Sequence, residues 1–221
     1  SLNASILKPS EFTSESAQRF VECFNSVGAP EFMVNLLHGG ASTAQSLISK
    51  KPDLISFTGS FDTGMKIKSA TSSYSPKLIL EMGGSNPIIV CESADIKKAA
   101  TIIAESAISN SGQRCASASR LIVHDSISEE MMTLLEEKIT AMLDVNQRET
   151  FSGCLVDINA KNKHEDLLKK ARTSGSIVLE FDYEKSSEGC YVNPAIVLRN
   201  PKNSEDTVEE VFSPILFAEN F

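Results

Sequence analysis

Short apolar runs alternate along the chain with longer segments whose apolar residues recur at helical spacing. Residues 4–7 read as the end of a strand. Residues 13–27 read as a helix, with Thr13 as its cap, Glu15 in its first turn and Gly28-Ala29-Pro30 as its stop. The apolar run 32–37 is strand-like and closes at Gly39-Gly40; a helix over 44–48 and a strand over 53–57 follow. The middle repeats the theme. Strands at 77–80 and 87–91 flank Gly83-Gly84, and an Ala- and Ile-rich helix covers 96–108. A strand at 121–124 leads to an acidic amphipathic helix over 128–143 that opens on a serine cap. Residues 144–153 are polar and irregular, 161–173 helical and 201–206 a loop, with strands at 177–181, 191–198 and 212–217. Strand and helix alternating in short units predict a parallel α/β sheet.

Composition narrows the class without changing that picture. The 221 residues suffice for one large core or parts of two. A net charge of -8 with no Lys/Arg cluster argues against a nucleic-acid partner. No apolar run approaches the roughly 20 residues of a membrane helix, and no signal-like pattern is seen. The five cysteines, Cys23, Cys91, Cys115, Cys154 and Cys190, are scattered with no CxxC pair. That pattern argues against a disulfide framework or zinc site and fits a reducing cytoplasm. His38, His124 and His164 lack metal spacing and read as surface or strand-end histidines; no metal site is expected.

Cys115 follows Ser111-Gly112-Gln113-Arg114 and precedes Ala116-Ser117-Ala118-Ser119-Arg120. A thiol among small polar residues with a cation beside it suits a nucleophile, whereas Cys91, ending an apolar strand, should be packed. Glu81 leads into Gly83-Gly84, where backbone can approach a ligand closely, and a carboxylate there can serve as general base. A buried cysteine and a turn glutamate are the bland alternative. Gly59, Ser60 and Gly64 follow a strand and open a helix; the pattern suits a phosphate site and equally an ordinary strand-to-helix turn. Lys8 and Glu11 follow a strand end, where α/β sheets bind ligands, so each could meet a ribose hydroxyl or simply face solvent.

Taken in order, Lys8-Pro9-Ser10-Glu11, Phe57 to Ser60, Leu80 to Gly84, Gly112 to Cys115 and Glu209 to Pro214 resemble the aldehyde dehydrogenase superfamily. The resemblance implies an α/β, parallel-sheet, three-layer αβα fold truncated at both ends. Residues 1–82 would be the C-terminal part of a Rossmann-like NAD-binding domain, and 83–221 an incomplete catalytic domain. It implies that Cys115 attacks an aldehyde and that Glu81 activates water against the resulting thioester. Lys8, Glu11, Gly59, Ser60, Gly64, Met82, Gly83, Glu210 and Phe212 would hold NAD. A carboxylate at Glu11 bonds a 2′-hydroxyl and repels a 2′-phosphate, which favours NAD over NADP. Within the family the likeness is to the branch acting on N-succinylglutamate 5-semialdehyde, in arginine catabolism. Arg114 or Arg120, or both, would anchor that acidic small-molecule substrate. The parent is expected to be a cytoplasmic homo-oligomer.

Three departures accompany the resemblance. Ser213 stands where the family usually has glycine, Cys190 replaces a common aromatic, and residues 144–153 lack the usual Gly-x-Pro. The family's cofactor fold also starts well before Lys8, and its catalytic domain runs past Phe221. A fragment acting only as a structural or oligomerisation module is therefore the competing expectation. Acyl transfer to coenzyme A is a third, disfavoured by Glu81.

Overall fold

A computed structural model describes residues 3–30, 32–143, 153–183, 188–198 and 210–221. The chain divides into two compact units, Ser1–Met82 and Gly83–Phe221. The expectations for 144–152 and 201–206 lie outside the described residues.

In the first unit, strands β1 (Ser5–Leu7) and β2 (Val34–Leu36) pair in parallel, as do β3 (Leu54–Gly59) and β4 (Lys77–Met82). Helix α1 (Ser14–Ser26) joins the first pair, α2 (Ala41–Ser49) runs from β2 to β3, and α3 (Phe61–Ala70) joins the second pair. Parallel partners need such crossovers because a hairpin cannot reverse the chain twice. Thr13 makes no side-chain cap to α1. Ser10 instead caps a single turn, Glu11–Thr13, by accepting from Phe12 N at 3.4 Å, and α1 continues from that turn.

The second unit is built on a five-stranded sheet ordered β5-β6-β9-β8-β7. Its strands are β5 (Asn86–Val90), β6 (Ala118–Val123), β7 (Ile177–Glu180), β8 (Ala195–Leu198) and β9 (Ile215–Asn220). Helices α4 (Ile96–Ile108) and α5 (Ser128–Met142) pack together on one face, and α6 (Ile158–Thr173) covers the other. The period of two makes this legible. Ile196, Leu216 and Ala218 join the cluster of Ile103, Ile108, Leu135 and Ile139, while Ala195, Val197, Ile215 and Phe217 join Leu168 and Ala171. Strands apolar on both faces require a helical layer on each side, the three-layer arrangement expected.

One edge differs from the all-parallel expectation: β7 runs antiparallel to β8. Strands β8 and β9 also begin later than their apolar runs. Pro194 and Pro214 have no N–H to give a ladder, and Phe212 adopts φ 55°, which extended backbone excludes. Helix α6 begins earlier than expected because Asp157 caps it, accepting from Ala160 N at 2.8 Å. Ser128 is not the cap of α5. Its hydroxyl donates back to the Asp125 carbonyl, and His124 Nδ1 caps the turn in front. No described helix is long and apolar enough to cross a membrane.

Candidate active site

Helix α4 stops at Ser109, where ψ turns to 137°. Asn110, Ser111 and Gly112 then take φ of 55°, 54° and 67° in succession. Asn and Gly tolerate the left-handed region, but a serine there is strained and must be held. Ser111 Oγ donates to Gly153 O at 2.6 Å. Gln113 binds the same partner segment twice: its Nε2 donates to Cys154 O at 3.1 Å, and its Oε1 accepts from Val156 N at 2.9 Å. Gly112 is obligatory on two counts. Its φ is positive, and a Cβ there would lie 2.5 Å from the Ser213 carbonyl oxygen.

This strained turn presents Cys115. Asn86 Nδ2, at the start of β5, donates to Cys115 O at 2.7 Å and Ser117 O at 2.9 Å, fixing the loop from below. The side chains of Arg114 and Cys115 are exposed. Arg114, Gly112, Ser117, Glu210, Phe212 and Ser213 share the wall of a recess of about 20 Å³, room for one water-sized group. Ser117 Oγ is buried there with no hydrogen-bond partner among the described residues. The Glu210 carboxylate lies against Gly83, where any Cβ would run into it. The second unit thus brings Arg114, Glu210 and Phe212 to one recess, with Gly83 against Glu210 and Cys115 next to Arg114 in the chain.

Arg120 does not join them. Its guanidinium, on β6, is paired with Glu219 on β9, so the expected substrate contact is replaced by an ion pair within the sheet. Cys91 is not packed either. Strand β5 ends one residue earlier, which leaves Cys91 exposed along with Cys23, Cys115 and Cys154. Accessibility alone therefore does not single out Cys115. His164, expected at the surface, is 2% exposed on the inner side of α6. Burial, reinforced by Lys161, pushes its pKa from 6.5 down to about 4 against a backbone hydrogen bond with Asn193.

The first unit gathers the other candidates at the carboxyl ends of its strands, where open α/β sheets bind ligands. Lys8 Nζ donates to Pro9 O at 2.6 Å and Gly39 O at 2.7 Å, tying the end of β1 to the turn after β2. Glu11, 3.9 Å from that ammonium, keeps its carboxylate 60% exposed. Gly59 closes β3, and Ser60 caps α3, its Oγ accepting from Thr63 N at 3.4 Å. Asp62 sits in the first turn of that helix, where its charge favours the helix start and disfavours a further anion. Gly64 is not at a phosphate turn but inside α3, where a Cβ would lie 2.5 Å from Met82 Sδ. The alternation of β4 points Leu80 and Met82 inward and leaves Glu81 exposed.

Asn86, Gln113, Lys163 and His164 were the residues the sequence did not announce as parts of this region. Only the side-chain amides next to Gly-rich and small-residue stretches, at Asn86 and Gln113, carried a signal.

The sequence model of the aldehyde dehydrogenase family matches residues 2–221. The chain belongs to the aldehyde dehydrogenase family. It is 32% identical over 227 residues to the chloroplastic betaine aldehyde dehydrogenase of Amaranthus hypochondriacus, covering 99% of this chain and 45% of that protein. The D-glyceraldehyde dehydrogenase (NADP(+)) of Picrophilus torridus is 33% identical, over 99% of this chain and 46% of its own length. Among solved structures, an indole-3-acetaldehyde dehydrogenase complexed with NAD+ superposes with a TM-score of 0.90 at 27% identity, over 99% of this chain and 46% of that one. An NAD-dependent aldehyde dehydrogenase from Sinorhizobium meliloti gives 0.89 at 29% identity, over 98% and 44%. The chain spans about half the length of the curated relatives it matches.

Proposed function

We propose that this aldehyde dehydrogenase segment carries the nucleophile and base of an NAD-dependent aldehyde oxidation. The observation that carries it is the Cys115 loop, a strained turn that exposes a thiol in the same unit as Glu210 and Gly83. The chain's first unit, Ser1–Met82, is the cofactor side and its second, Gly83–Phe221, the catalytic side.

The residues present fit NAD. An exposed carboxylate at Glu11 can accept from ribose hydroxyls, and the backbone N–H groups at the α3 N-terminus, after Gly59 and Ser60, can meet a phosphate against the opposing charge of Asp62. Glu11 disfavours the extra phosphate of NADP. Glu210 and Gly83 offer a carboxylate and an unshielded backbone to the nicotinamide ribose, with Phe212 beside them. When bound, NAD+ supplies the hydride acceptor that takes the thiohemiacetal to a thioester. Cys115 Sγ, as thiolate, adds to the aldehyde carbon while the carbonyl π bond opens, and the proton lost by the thiol ends on the former carbonyl oxygen. Glu81 takes a proton from water, the water oxygen adds to the thioester carbon, and the carbon–sulfur bond breaks to release carboxylate and thiol.

The proposed substrate is N-succinylglutamate 5-semialdehyde, with Arg114 alone as its carboxylate anchor, since Arg114 is exposed at the recess and Arg120 is committed to Glu219. The test is to mix the chain with NAD+ and this aldehyde, follow NADH, and map the acyl adduct by mass spectrometry. An adduct on Cys115, lost in Cys115→Ser, is expected. Adducts spread over Cys23, Cys91 and Cys154 would overturn the assignment. The recess of only about 20 Å³ favours a second reading, a module without activity. Calorimetry showing no NAD+ binding would support that alternative.

A further inference from the structure

His164 and Ser213 form a buried polar pair in the second unit. Nδ1 of the imidazole is 3.0 Å from Ser213 Oγ, and the two residues are 2% and 7% exposed. A neutral imidazole has one N–H. Given to the Asn193 backbone, it leaves Nδ1 to accept from the Ser213 hydroxyl. One residue earlier on α6, Lys163 Nζ donates to Glu210 O at 2.6 Å. Helix α6 therefore grips the segment 210–213 at both ends. That segment holds Glu210 against Gly83 and turns at Phe212, with φ 55°, and its Ser213 carbonyl closes over Gly112. A strained Phe at positive φ persists only where its neighbours are fixed.

The polypeptide leading into α6 grips the opposite wall. Gly153, Cys154 and Val156 bind Ser111 and Gln113, the turn that presents Cys115. One wall of the recess is thus held from α6 and the other from the residues just before it. The side-chain hydrogen bond of His164 to the 210–213 wall is buried and that of Lys163 exposed.

We propose that His164 is a positioning residue: through the Ser213 hydroxyl it sets where Glu210 and Phe212 stand in the wall of the recess they share with Arg114. A leucine of similar size would fill the space beneath the segment and leave Ser213 Oγ unsatisfied. An asparagine carries a polar atom near the place of Nδ1 and can keep the bond. The consequence for ligand binding rests on the proposed cofactor role of Glu210.

The experiment compares His164→Leu, His164→Asn, Ser213→Ala and the Leu/Ala double variant in the full chain. Hydrogen exchange of the segment 210–217 is read against that of β6 as internal reference. His164→Leu and Ser213→Ala should each raise exchange of the segment by about tenfold, the worth of one buried hydrogen bond. The double variant should go no further, and His164→Asn should stay near wild type. Unchanged exchange in Ser213→Ala, or effects that multiply in the double variant, overturns the proposal. If His164→Leu does not fold, Ser213→Ala and His164→Asn still decide between the two outcomes. Calorimetric titration with NAD+ separates the two ideas. Wild-type binding that weakens about tenfold in Ser213→Ala supports both. No NAD+ binding by wild type, with exchange as stated, overturns the cofactor reading and leaves the positioning role standing.

Discussion

Acid should unfold the second unit through His164. Its pKa is about 4 in the fold against 6.5 in an unfolded chain, so the native state binds the proton more weakly. Above pH 6.5 the ring is neutral in both states and costs nothing. As pH falls from 6.5 to 4 the unfolded state takes up the proton and the native state does not, so stability is lost through that window and the loss levels off below it. At 1.36 kcal/mol per pKa unit, the full window is worth about 3 kcal/mol. The direction follows from what surrounds the ring. Burial dominates, Lys161 on the same helix adds to it, and the backbone hydrogen bond with Asn193 opposes both. Lys163 on that helix is turned to Glu210 O, and Arg172 is paired with Glu180 of β7. Glu165, Tyr191 and Glu180 line the adjoining recess, and Ser213 meets the ring from the segment before β9. Urea unfolding, followed by tyrosine fluorescence at pH 7, 6, 5 and 4, measures the effect in wild type and His164→Asn. Two of the three tyrosines, Tyr183 and Tyr191, report on the second unit. Carboxylates titrate in both proteins and cancel in the difference. Wild type should lose about 3 kcal/mol more than the variant between pH 6.5 and 4. Parallel stability curves for the two proteins would refute the reasoning.

Gly112→Ala should cost about 2–4 kcal/mol in urea unfolding, the sum of left-handed strain and the 2.5 Å approach to Ser213 O; a cost below about 0.5 kcal/mol would show that the turn relaxes freely. Ser117→Ala should be neutral or stabilise by about 1 kcal/mol, because it removes a buried hydroxyl without a partner; clear destabilisation would reveal a bond the hydroxyl makes in solution. On the proposed reaction, Glu81→Gln should slow steady-state turnover by about 10²–10⁴-fold while sparing a first burst of NADH, and loss of the burst in rapid-mixing kinetics would remove Glu81 from the role of hydrolytic base.

Much of this protein was fixed by local pattern. Helix α4 falls where its Ala and Ile spacing puts it, since 3.6-residue periodicity and an aspartate cap at Asp95 act within a few residues. The existence of strands at β3 and β4, the turn at Gly83-Gly84 and the polar loop around Cys115 were legible for the same reason, whereas the pairing of β3 with β4 was not. Tertiary structure decided the rest. Whether Arg120 meets substrate or Glu219 depends on a partner 99 residues away. His164 looked like any solvated histidine until α6 laid it against Ser213, 49 residues on. Asn86 reaches the Cys115 carbonyl across 29 residues because β5 and β6 are sheet neighbours. Cys91 became exposed because β5 ended one residue sooner than its apolar run suggested. Apolar periodicity tells which face of an element is buried. It does not tell which polar group waits on the facing element, because that depends on the register between segments far apart in sequence, and packing alone sets it.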